Sequence, residues 1–118
     1  MNGFNISNYD ADITEILRLV PPYDNGEACH ISDYQIAALL AKDHPEILKE
    51  FELKVGGKGI GEHRSLAQII GKYLSANLDG FGIERAFFST KGLEDFRFSG
   101  DGEIQEASSG EFAIFRLK

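Results

Sequence analysis

The chain is short of positive charge, has one cysteine and contains no long hydrophobic run. Twelve Lys and Arg stand against nineteen Asp and Glu, a formal net charge of −7 over 118 residues with a pI near 4.9. That balance argues against nucleic acid as a partner unless the few cations gather on one face. The single cysteine, Cys29, excludes an intrachain disulfide framework and suits a reducing, cytoplasmic setting. No stretch approaches ~18 uninterrupted apolar residues, so no membrane span is expected. Residues 1–8 lack a basic region and a continuous apolar run, and do not read as a signal peptide.

Motifs for metal, nucleotide and catalytic chemistry are missing as well. Cys29 and His30 are adjacent and point apart; His44 and His63 have no C-x-x-C or H-x-x-x-H spacing, so no metal is expected. The glycines Gly56, Gly57, Gly59 and Gly61 surround Lys58, but no Gly-Lys-Ser/Thr opens the following helix and no strand pattern precedes the loop. A nucleotide-hydrolysing site is therefore not expected, nor any other cofactor. Glu46, Glu50 and Glu52 have the spacing of a solvated helix face. Asp33 reads as a helix-start residue favoured by the helix dipole. No pair of carboxylates makes an acid–base constellation, and catalysis is not expected.

What is present is a change of period along a chain long enough for one domain, residues 1–118, with one core. Ile13, Ile16, Leu17 and Val20 recur at helical spacing, predicting a helix from Asp10 to Leu19 that Pro21-Pro22 ends. Ser32 and Gln35 form a capping box for a helix with an apolar face of Ile36, Ala37, Leu39 and Leu40, ending near Asp43-His44. Pro45 suits the first turn of a short helix to Phe51. Ser65 caps a fourth helix reaching Leu78, with Leu66, Ile69, Ile70, Tyr73 and Leu74 on one stripe. Beyond it the period falls to two. Ile83 to Ser89, Phe96 to Ser99 and Glu111 to Leu117 read as strands, with turns at Lys91-Gly92 and Gly100-Asp101-Gly102 and a loop at Ser108-Ser109-Gly110. The last strand is apolar on both faces and should be central. Leu39, Leu40, Ile69, Leu74, Phe87 and Phe112 are expected in one core.

Helices followed by a small antiparallel sheet give an α+β fold: a helix-turn-helix-like half, then a sheet or wing. In this order of elements Ser32 to Leu78 resembles a helix-turn-helix core, and Ile83 to Leu117 the β-wing that follows one. The resemblance is to winged helix-turn-helix domains, and it implies a non-catalytic nucleic-acid-binding module.

The charge pattern supplies the candidate residues. From Leu53 to Leu78, Lys54, Lys58, Arg64 and Lys72 face Glu62 alone, a net +3 that leaves −10 for the rest of the chain. On this reading the helix after Ser65 presents His63, Arg64, Gln68 and Lys72 to the major groove of double-stranded DNA. Lys54 and Lys58 touch the flanking backbone, and Lys91 and Arg97 sit in the wing. Phe87, Phe88, Phe96, Phe98, Phe112 and Phe115, interleaved with Arg85, Arg97 and Arg116, also match a stacking surface for single strands, though core packing is the expected use. The alternative partner is a protein, bound by an acidic assembly module or by an inhibitor that mimics nucleic acid. No sequence feature fixes an oligomeric state.

Overall fold

The computed structural model describes residues 4–56, 64–93, 97–100, 103–106 and 111–118. A single 3-10 turn, Ile6–Tyr9, leads into α1 (Asp10–Arg18), followed by β1 (Ile31–Ser32), α2 (Asp33–Asp43), α3 (Glu46–Glu50), α4 (Leu66–Ala76) and α5 (Leu78–Phe81). Then come β2 (Ile83–Ser89), β3 (Arg97–Gly100), β4 (Glu103–Glu106) and β5 (Glu111–Leu117). The fold is α+β, with the helices first and the antiparallel sheet after them; only the two residues of β1 precede α2. The segment 57–63, Phe96, the Asp101-Gly102 turn and the loop at 108–110 lie outside the described residues.

The two long helices of the core, α2 and α4, begin where the sequence offers a side-chain partner for orphan backbone amides. Ser32 Oγ accepts from Gln35 N–H at 3.1 Å, and Gln35 Oε1 accepts from Ser32 N–H at 2.9 Å, so the capping box is complete. Ser32 is buried, which raises the cost of losing it. Ser32→Ala is expected to lower stability by roughly 1 kcal/mol, read from chemical denaturation; an unchanged midpoint would show the cap to be redundant. Ser65 repeats the device on α4, accepting from Gln68 N–H at 3.2 Å. In α1, Asp10 and Asp12 lie in the first turn and Arg18 in the last, each matched to the helix dipole.

The helices bury one stripe each. Ile13 and Leu17 of α1, Ile36, Ala37, Leu40 and Ala41 of α2, and Leu66, Ala67, Ile70 and Leu74 of α4 join a single buried cluster that β5 completes with Phe112, Ala113 and Phe115. Burying a Leu, Ile or Phe contributes about 1.5–3 kcal/mol apiece, so this cluster dominates the stability. α2 crosses α4 at Gly71, where an added Cβ would lie 2.7 Å from Asp33 Oδ2. The missing side chain is what admits the Asp33 carboxyl between the two helices.

The sheet runs β1–β5–β2. Ile31 and Ser32 pair with Phe115 and Ile114, and β2 pairs along its whole length from Ile83↔Leu117 to Ser89↔Glu111. β5 is central, as its two apolar faces require. β3 and β4 form a separate two-stranded ribbon, from Arg97↔Glu106 to Gly100↔Glu103, and β3 runs beside α2.

Two residues expected in the core are not there. Leu40, Leu74 and Phe112 are buried and Ile69 is half-buried, but Leu39 and Phe87 are exposed. Leu39 sits on the α2 face turned toward the end of α1, where it and Ile16, Leu19 and Val20 line an open hollow of about 410 Å³. Phe87 lies on the half of β2 where exposure rises along the strand after Ile83.

Candidate nucleic-acid interface

The chain reaches α4 through a short parallel contact. Lys54 N–H donates to Arg64 C=O, Leu66 N–H donates to Lys54 C=O, and Ala67 N–H donates to Val55 C=O, each at 2.8 Å. These bonds fix Lys54 and Arg64, ten residues apart in sequence, side by side at the start of α4, and both are exposed. Lys58 and His63, the other candidates of this stretch, lie outside the described residues.

Along α4 the candidates continue at four-residue steps. Gln68, whose N–H closes the Ser65 cap, is half-buried, and Lys72 one turn later is exposed. Spacing of four residues keeps Gln68 and Lys72 on one side of the helix axis, while Arg64 precedes the Ser65 cap and stands ahead of the helix. The opposite stripe, Leu66, Ile70 and Leu74, is in the core. Tyr73, between the two, donates its hydroxyl to Asp10 Oδ1 at 2.7 Å and ties α4 to α1.

Gln68 and Lys72 form one wall of an open groove of about 320 Å³. α2 contributes Asp33 and Tyr34 to it, and the β2–β5 pair contributes Phe87, Phe112 and Glu111. The Phe112 ring stacks on Phe88 at 5.2 Å between centroids and meets Tyr34 edge-on at 5.7 Å. Phe87 lies 61% exposed, with the Arg85 guanidinium over its ring at 4.9 Å. Asp33 is 7% exposed, and burial pushes its carboxyl up to about 7. Its Oδ1 accepts the Tyr34 N–H at 2.8 Å, which opposes that shift only in part. A carboxyl that titrates near neutrality in a cleft is the kind of group that functional sites use.

Lys91 is not brought into this groove. It is exposed in the turn after β2, where its N–H donates to Ser89 Oγ at 3.1 Å; Arg97 begins β3, and its side chain lies outside the described residues. The sequence reading missed Asp33, Tyr34 and Glu111 as site residues, and named Phe87 and Phe112 as a stacking surface only beside their expected use in the core. Asp33 was readable as a helix start and Phe87 as core, and neither pattern carries information about a groove.

A separate group of carboxylates surrounds His44. His44, at the end of α2, places Nε2 at 3.0 Å from Asp12 Oδ1 and Nδ1 at 3.3 Å from Glu46 Oε2. Its pKa is raised, first by the hydrogen bond to Asp12 and further by the neighbouring Glu46 and Asp43 charges. The carboxylates of α1, α3 and the α2 C-terminus thus share one region, built from elements other than α4. Among the described residues no three His, Cys, Asp or Glu side chains gather as a metal site, and Cys29 stands half-buried. No helix of the described residues is long and apolar enough to cross a membrane. No family model, no curated protein and no solved structure matches the chain.

Proposed function

We propose that this chain is a non-catalytic, winged-helix-like domain that binds duplex DNA through α4. The observation that carries the reading is the polar side of α4, Gln68 and Lys72, set opposite the helix's buried stripe, with Lys54 and Arg64 side by side just ahead of its N-cap Ser65. The surrounding topology supports it. A helix pair, α2 and α4, is followed by two long antiparallel strands, and the short β1 before α2 closes the sheet in the order β1–β5–β2. In a helix-turn-helix the second helix of the pair enters the major groove. Gln68 has the amide that pairs with an adenine edge, and Lys54, Arg64 and Lys72 supply phosphate contacts.

Few cations are engaged, so affinity is modest and falls steeply with salt. Three phosphate contacts correspond to a slope of log K against log salt of roughly −3. Changing Arg64 and Lys72 together to Glu is expected to weaken binding at every duplex sequence and to flatten that slope by about 2. Fluorescence anisotropy with random duplex at low and moderate salt reads both effects. Absence of wild-type binding even at low salt ends the DNA reading. Equal binding by the double variant moves the surface away from α4.

The competing reading is a protein partner. It is favoured by the net charge of −7 and by the carboxylates gathered around His44, which suit a basic surface. That reading expects no duplex binding at any salt concentration.

A further inference from the structure

The groove beside Lys72 has the wrong charge for a phosphate and the right surfaces for a base. Two of its walls carry carboxyl groups, Asp33 and Glu111, and a phosphate entering between them meets repulsion once both are ionised. Of its three aromatic lining residues, Tyr34 and Phe112 are buried and Phe87 is exposed, stacked on no other ring among the aromatic contacts of the described residues. A nucleobase can stack on an exposed aromatic ring, here on the face that the Arg85 guanidinium does not cover. Arg85, two residues back on the same side of β2, holds its guanidinium over the ring and supplies positive charge beside it. Lys72 stands on the facing wall, within one groove width of Phe87, where it can hold the phosphate next to an inserted base. Gln68 and the two carboxyls offer acceptors to base edges. At about 320 Å³ the groove lies at the small end of ligand-sized clefts, large enough for one planar heterocycle and too small for a paired step.

From this arrangement we infer that the domain binds DNA at a place where a base is unpaired, seating that base on Phe87 between α4 and β2 while α4 lies on the adjoining duplex. The inference rests on the proposed duplex contact by α4 and adds the structural class of its target: a junction between duplex and single strand.

A forked duplex and a blunt duplex of equal paired length separate the two ideas. Stacking of one base predicts that wild-type protein binds the fork about tenfold more tightly than the blunt form. A 2-aminopurine at the first unpaired position should lose fluorescence on binding, because the probe becomes stacked. Phe87→Ala should bring the fork-to-blunt ratio close to one and abolish the quench, whereas Phe87→Tyr should keep both. Since Phe87 is 61% exposed, neither change removes a core side chain. A wild-type ratio near one, or a ratio and quench that survive in Phe87→Ala, overturns the inference and leaves the duplex reading standing. Failure to bind either DNA overturns both.

Discussion

Replacing Asp33 with asparagine is expected to remove a fall in stability that the wild type shows between acid and neutral pH. Burial raises the folded-state pKa of this carboxyl from 3.8 to about 7. Below the unfolded value both states carry the proton and the group is neutral in both. Between the two values the unfolded chain releases the proton while the folded chain keeps it, so stability declines as pH rises and the loss is complete above about 7. A shift of roughly three units corresponds to a loss of up to about 4 kcal/mol. Urea denaturation at pH 5 and pH 8 measures it. Glu84, whose pKa is lowered by its hydrogen bond to Arg116, acts in the opposite sense, adding stability as pH rises through its unfolded value of 4.5, and does so equally in both proteins. His44, whose pKa is raised, contributes a decline of its own above 6.5. The difference between wild type and Asp33→Asn isolates Asp33, because the variant keeps His44. Its Oδ1 can still accept the Tyr34 N–H. Coincident pH profiles for the two proteins would show that the carboxyl is solvated in the folded state.

The same residue shows where the sequence stops being informative. Ser32, Gln35 and Ser65 could be placed from local rules alone, because a cap needs only its own neighbours three residues away. The Ile83 to Ser89 strand and the central position of Glu111 to Leu117 were legible for a related reason: alternation and two-sided hydrophobicity are local patterns. Asp33 was legible only as a helix start. Its burial depends on Gly71, thirty-eight residues later, and no spacing rule couples the two. Lys54 and Arg64 were recognised as cations of one basic stretch, but their adjacency comes from hydrogen bonds across the segment between them. Leu39 and Phe87 mark the opposite failure. Periodicity identifies apolar residues, not whether another layer reaches far enough to cover them. Phe87 was therefore assigned to a core that ends before it.

Phe112→Ala is expected to be the most damaging of the single substitutions considered, lowering stability by about 3–5 kcal/mol. The ring is 7% exposed and is held on two sides, by Phe88 in a stacked contact and by the edge of Tyr34. Truncation therefore removes buried apolar area and two aromatic contacts at once, and aromatic pairs add about 0.5–1.5 kcal/mol beyond their burial. Collapse of neighbours into the space is limited. Tyr34 belongs to α2, whose first turn is fixed by the Ser32 capping box, and Phe88 is held opposite position 112 in the β2–β5 ladder. The groove should lose its shape together with the stability, because Phe112, Tyr34 and Asp33 line it jointly. Denaturation measured alongside the fork-binding ratio separates these consequences from the Phe87 effect. Phe112→Ala is expected to lower both stability and the ratio, whereas Phe87→Ala lowers the ratio with little change in the unfolding midpoint. A Phe112→Ala protein of near wild-type stability would show that the ring is dispensable to the core and that Tyr34 and Phe88 close over the space by themselves.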